Sequence, residues 1–332
     1  MDDDSSKLFK ELRKAGFSRA ALKAAWPAWW SDELASSPSG RAELRFALAR
    51  RLGLAPKPLL GERVEFIWKD SARFKHLSTQ DATQQDILSS FGVSVGRLLL
   101  SATAGATANL ADLSSDQIRN SILKSAEYVD LQHLIATCWA LGVPVVQLRV
   151  FPLGRKSMHA MVVQFNGRHA ILLGRDASYP APVAFTLAHE MGHIAAKHIK
   201  GATAIVDVED PALASDRDEE EREADEFALA LLTGSSDPVI TTQFDSYNAP
   251  TLADAVLKAG PRYRIEPGTL ALCLAYRQKN WAVAMSSLSF VYSSPKPVSR
   301  EVNEVARRSI DWESLGTDSA DYLRGVLNIE DD

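Results

Sequence analysis

Apolar residues recur at helical spacing through residues 7–60, in the segments FKELRKAG, SRAALKAAW and AELRFALARRLGL, and Ser18 stands where a helix N-cap is wanted. From 63 to 101 the periodicity weakens. The aromatic and basic stretch FIWKDSARFKHL there predicts a surface segment, with a linker strand or a docking patch as alternatives. Helical spacing returns over 127–141 (EYVDLQHLIATCWAL) and stops at Gly142, after which VPVVQLRVF has the β-branched content of a strand. MHAMVVQF and RHAILLG are two further β-prone runs separated by Asn166-Gly167, the strongest short signal for a hairpin turn. Strand RHAILLG is expected to offer a free edge to an extended peptide. A helix follows the hairpin. Beyond Thr241 the pattern is mixed: the helical segment TLADAVLKAG, a turn at Pro267-Gly268, the apolar helix TLALCLAYRQK, and FVYSS as a candidate strand.

With 332 residues, 46% hydrophobic and 24% charged, the chain has the composition of a globular protein with two or three domains. The pattern divides it at 1–62, 63–240 and 241–332. A net charge of -5 argues against a protein dominated by nonspecific nucleic-acid binding. Cys138 and Cys273 lie far apart in apolar surroundings and read as small buried hydrophobes, which fits a reducing compartment. The start MDDDSSKLFK has neither the basic residues nor the apolar run of a signal peptide, and the longest apolar stretch, 134–151, is broken by Gly142 and Pro144. A cytoplasmic protein without a membrane partner is expected.

The chemistry concentrates in FTLAHEMGHIAAKHI. A helix sets His189 and His193 about 40° apart on one face, with Glu190 at about 100°, while Leu187, Met191, Ile194 and Ala195 form the opposite, core-facing side. Two imidazoles converging in this way can share one metal ion, and the intervening acid is placed to act as a general base. Gly192 leaves room for a close neighbour, and Phe185 and Ala196 are candidate walls of the pocket. A catalytic zinc site needs three protein ligands and one open position. The segment EEEREADEFALALL can supply the third. On its helix Glu221 points about 50° from the apolar arc of Ala224, Phe227, Ala228, Leu231 and Leu232, and Asp225, one turn on, can accept the N–H of a metal-bound histidine. Glu220 and Glu223 are the alternatives to be excluded. His198 reads as surface, and His159 and His169, on the hairpin, are undecided.

FTLAHEMGH followed by EREADEFALALL resembles the ImmA/IrrE-type zinc metallopeptidase family over residues 167–232, although Leu231-Leu232-Thr233-Gly234 stands where that family commonly has Leu-Leu-Met-Pro. The N-terminal segment is loosely similar to Xre-type helix-turn-helix domains, but its counterpart of the recognition helix, WPAWWSDELASS, carries Pro27, three tryptophans and two acids, Asp32 and Glu33, that would repel phosphates. The resemblance implies one Zn2+ per chain held by His189, His193 and Glu221, with Glu190 activating the zinc-bound water and Asp225 supporting a histidine. The expected fold is α+β: a zincin-like core of a small antiparallel sheet, the HExxH helix and the Glu-bearing helix, flanked by an N-terminal helix-turn-helix-like domain and a mixed, mainly helical C-terminal region. The expected function is a regulatory metalloendopeptidase that cleaves a DNA-binding repressor encoded nearby. Two rivals stay open: a non-proteolytic transcription regulator or metal sensor that binds DNA, and an antitoxin-like interaction module with a structural metal closed by a fourth ligand.

Overall fold

The computed structural model describes residues 3–61, 63–69, 71–75, 82–154, 158–208, 218–242 and 246–330. The start of the acidic N-terminal tail, and Asp70, His76 and Leu77 of the aromatic and basic stretch, lie outside the described residues. The chain opens with five helices: α1 (Asp3–Lys14), α2 (Arg19–Ala25), α3 (Asp32–Ser36), α4 (Pro38–Leu52) and α5 (Pro56–Leu60). Ser18 caps α2 as its position predicts, its Oγ accepting from Ala21 N at 3.0 Å. Where the repressor resemblance would set a recognition helix, α3 has only five residues. The basic pair that marks this segment is engaged within the chain, although Arg50 is exposed. Arg51 is buried, donating to Ala25 O (2.7 Å) and pairing with Asp318 (2.5 Å), and Arg50 pairs with the same acid. This geometry does not support the helix-turn-helix reading.

Next come β1 (Ala72–Lys75), α6 (Ala82–Ser101), α7 (Ser115–Ile122), α8 (Leu131–Ala140), β2 (Val145–Gln147), β3 (Ala160–Phe165), β4 (Arg168–Leu173), α9 (Pro180–Ala195), β5 (Ala204–Asp207) and α10 (Glu219–Thr233). The β3–β4 hairpin turns at Asn166 (φ 51°) and Gly167 (φ 73°), the two positive φ values that a two-residue hairpin turn demands. The sheet order is β1-β5-β3-β4-β2. The β1–β5 and β2–β4 pairs are parallel, so the sheet is mixed where an antiparallel one was expected. β3 pairs with β4 along its whole length and β2 covers the other side of residues 171–173, so this half of RHAILLG offers no free edge. The weakly patterned region conceals α6, a 20-residue helix buried along most of its length.

Strand alternation divides the core between the two faces of the sheet. Met161, Val163, Leu172, Ala204 and Val206 face α6 and the N-terminal helices; Ala160, Val162, Ile171, Leu173 and Ile205 face α8, α9 and α10. The chain ends in helices: α11 (Ala249–Tyr263), α12 (Pro267–Gln278), α13 (Trp281–Val291), α14 (Val298–Ser309) and α15 (Thr317–Leu327). The candidate strand FVYSS is instead the end of α13, where burial of Ala284 and Leu288 at helical spacing overrides the β-propensity of Phe290 and Val291. α11 to α13 enclose a third apolar cluster that leans on the start of α9, with Tyr179 stacked on Tyr292. Among the described residues no helix is long and apolar enough to cross a membrane.

Candidate metal centre

α9 starts at Pro180, whose missing N–H costs nothing at a helix entrance, and runs 16 residues, so His189 and His193 fall one turn apart on the same side. α10 starts at the N-cap Asp218, which accepts from Glu221 N at 2.9 Å, and acids in its first turn complement the positive end of the helix. The two helices pack against each other at Gly192. A Cβ there would stand 2.9 Å from Ala224 Cα and from Ala224 O. Glycine therefore sets the approach that brings Glu221 to the histidines.

His189 Nε2 and His193 Nε2 lie 3.0 Å apart, and Glu221 reaches both, Oε2 to His189 and Oε1 to His193, at 3.4 Å each. All three residues are buried. A fourth group joins them that sequence reasoning missed. Asp207, the last residue of β5, places Oδ2 3.5 Å from His189 Nε2, and His189, His193, Asp207 and Glu221 together offer four donor atoms within 4.8 Å of one another. The two alternatives to Glu221 have other partners: Glu220 is bonded to Arg73 and Lys75, Glu223 to His198.

The outward nitrogens have partners of their own. Asp225 Oδ1 accepts from His189 Nδ1 at 3.0 Å, which leaves Nε2 as the ring nitrogen available to a metal ion. Glu223 Oε2 lies 2.9 Å from His198 Nε2, and a carboxylate only accepts, so His198 carries its proton on Nε2. Its Nδ1 can then accept from His193 Nδ1–H at 2.9 Å, and His193 Nε2 is likewise the nitrogen available to a metal ion. His198 is therefore not a surface residue: Lys197, at φ 59°, turns the chain so that His198 N bonds His193 O, and its ring is buried. Both Nε2 atoms, 3.0 Å apart, are the ring nitrogens not engaged by Asp225 or His198, and two imidazole nitrogens with the carboxylates of Asp207 and Glu221 form a donor set that fits a divalent metal ion.

Lys75 is the other residue the sequence did not disclose. It stands in parallel register with Asp207 at the ends of β1 and β5, with Nζ 2.7 Å from Asp218, 2.8 Å from Glu220 and 3.7 Å from Glu221. Burial disfavours its charge, but the bonds from Asp218 and Glu220 prevail and raise its pKa. The same contest runs through the cluster. Burial opposes a charge on His189, yet Asp207, Asp225 and Glu221 raise its pKa well above the ordinary value. Burial would raise Glu221 and Asp207, but the imidazoles hold both below the usual carboxylate range. Glu190 goes the other way: fully buried and beside Asp207, it is pushed well up, and neither of its oxygens has a hydrogen-bond partner among the described residues.

Phe185 walls the cluster, its ring 6.4 Å from that of His189, whereas Ala196 is exposed and does not. His159 bonds Thr186 Oγ1 at 2.8 Å, and neither it nor His169, buried on β4, belongs to the donor set. One cue to Asp207 was legible: an acid that closes the apolar run AIVD between the two helical motifs.

A mixed sheet carrying a HExxH helix, with a buried His-His-Asp-Glu cluster able to hold a metal ion, is consistent with a metallopeptidase. Residues 178–275 match the family model of Peptidase U49, which supports a peptidase of a family related to the ImmA/IrrE type. No curated protein matches the chain at a significant level.

Proposed function

We propose that the chain is a zinc-dependent metalloendopeptidase, with His189, His193 and Glu221 as ligands and Glu190 as general base. The observation that supports this most directly is the convergence of His189 Nε2, His193 Nε2 and the Glu221 carboxylate, with both Nδ1 atoms already committed to other partners. A zinc ion bound there supplies Lewis acidity, lowering the pKa of a water towards neutrality and polarising a scissile carbonyl. Glu190 is the chain's proton carrier. Among the described residues neither carboxylate oxygen is held in a hydrogen bond, so in its ionised form, which a cation bound beside it would favour, Glu190 can take the proton of the attacking water and hand it to the leaving amine. Asp225 and His198 hold the imidazoles in the tautomer that presents Nε2. The substrate class implied by the resemblance, a DNA-binding repressor encoded nearby, is part of this proposal.

The test is Glu190→Gln, assayed for zinc content and for hydrolysis of neighbouring repressors and of a generic unfolded protein. The variant should keep one zinc per chain and lose about 10²- to 10⁴-fold in rate. Undiminished cleavage would exclude the mechanism. Asp207 favours a second reading, because with four protein ligands the site is closed and structural. In that case wild type binds zinc but hydrolyses nothing, and Asp207→Ala loses the ion.

A further inference from the structure

Beside the metal centre lies a cavity of about 580 Å³ between the first half of α9, the middle of α10, and α12 and α13. Its walls are mainly apolar, with Phe185, Leu229, Leu232, Leu272 and Met285 among them. The cavity and the cluster share a partition. Asp225, which holds His189 Nδ1 at 3.0 Å, lines the cavity, as does Phe185, which packs on the His189 ring.

We propose that this cavity seats two neighbouring bulky apolar side chains of an extended polypeptide substrate, with an acidic residue of the same segment held at its mouth. The inference rests on the peptidase reading and adds the class of substrate. Three observations select the occupant. The volume exceeds what any one side chain fills, and lies in the range that takes a drug-sized ligand or a pair of side chains. The apolar lining does not stop at the mouth: Tyr276 and Met285 both line the cavity and are each 43% exposed, so apolar surface continues outward, as a chain that enters and leaves requires and an enclosed small molecule does not. The charges at the mouth are also unequal. Arg277 is paired with Asp237 and Asp176 with Arg149, whereas among the described residues no acid lies against the exposed guanidinium of Arg175. One uncompensated positive charge beside an apolar seat selects an acid next to apolar residues.

The experiment measures binding apart from cleavage. Zinc-loaded Glu190→Gln protein is titrated into fluorescein-labelled Gly-Asp-Phe-Leu-Ala-Gly-Ser and into the same peptide with Ser-Ser for Phe-Leu, or Lys for Asp, and followed by fluorescence anisotropy. The Phe-Leu, Asp peptide should bind tightest. Met285→Glu, at an exposed position, and Leu272→Trp, which takes up part of the cavity, should each weaken it about tenfold, and Arg175→Glu should reverse the preference between Asp and Lys. Thermal midpoints of each variant establish that the fold is kept. Equal affinity for the three peptides, or indifference to both Met285→Glu and Leu272→Trp, overturns the proposal. So does saturable binding of an anilinonaphthalene sulfonate dye with no peptide binding, which makes the cavity a small-molecule site. Cleavage is scored separately, as new amino termini formed by wild type. Selective binding without cleavage removes the peptidase reading and keeps the seat; cleavage indifferent to Phe-Leu removes the seat and keeps the peptidase.

Discussion

His198 shows how one ring controls a neighbour's chemistry. Without it His193 Nδ1 loses its acceptor, and nothing prevents the proton from moving to Nε2, where it blocks the lone pair that faces Glu221. Partners of this kind contribute about 10- to 100-fold in metal affinity. His198→Ala should lose zinc affinity by that factor, with most of the loss recovered in His198→Gln, whose carbonyl can accept the same proton; competition with a chromophoric chelator measures it. His169 belongs to a different problem. Burial drives its pKa down from 6.5 to about 4, so the unfolded chain binds its proton more tightly than the folded one. Stability then rises with pH across that window, and the penalty is absent above about pH 6.5 and complete below about pH 4. The shift corresponds to about 3 kcal/mol. Relative to wild type, His169→Gln should lose less stability as pH falls from 6.5, with the gap levelling off near pH 4, as read from urea unfolding at each pH.

At the scale of elements, the site depends on how closely α9 approaches α10. Alanine in a helix interior is ordinarily more stable than glycine by about 0.5–1 kcal/mol. At position 192 the added Cβ meets backbone atoms of Ala224 at 2.9 Å, which cannot rotate away, and overpacking of this kind costs about 1–3 kcal/mol. The clash wins. Gly192→Ala should lower the thermal midpoint and, by moving Glu221 off the histidines, weaken zinc binding in the same titration. These two helices were also the most legible part of the sequence, because His189, His193, Glu221 and Asp225 each recur at turn spacing on a strip opposite an apolar face, and because Asn166-Gly167 marks its hairpin by backbone chemistry alone. What escaped notice has no such periodicity. α6 is buried on most sides over residues 87–100, since Gly92 and Gly96 admit Met161 and Val163 of β3 on one side while the N-terminal helices cover others, and its buried Ser89 and Ser90 interrupt the apolar pattern, so no amphipathic stripe betrays it. Asp207 and Lys75 meet only through a parallel pairing of strands more than a hundred residues apart, and strand register across that separation is invisible in a single sequence.

At the scale of the whole molecule, the sheet is a partition between two apolar cores, and the first is built largely from the N-terminal helices. Phe17, Leu22, Leu44, Leu48 and Leu52 share one cluster with Phe91 of α6, Met161 and Val163 of β3, and Leu323 and Val326 of α15. Polar bonds cross the same boundary: Ser18 Oγ to Phe151 O at 2.6 Å, Trp29 Nε1 to Asp318 at 3.0 Å, and Tyr322 O–H to Arg51 O at 2.7 Å. Gly53, at φ 72°, lies so close to Ser90 O that a Cβ would come within 2.3 Å of it. A boundary near residue 62 therefore separates segments of sequence whose side chains interlock. Each large apolar side chain returned to water costs about 1.5–3 kcal/mol, against a total stability of about 5–15 kcal/mol for an ordinary domain. Uncovering Phe91, Met161, Val163, Leu323 and Val326 together is enough to consume that margin. A protein beginning at Arg63 should show no cooperative thermal transition by near-ultraviolet circular dichroism, bind hydrophobic dye, and lose stoichiometric zinc. A sharp transition with zinc retained would instead make the first five helices a separable domain, free to serve a role independent of the metal centre.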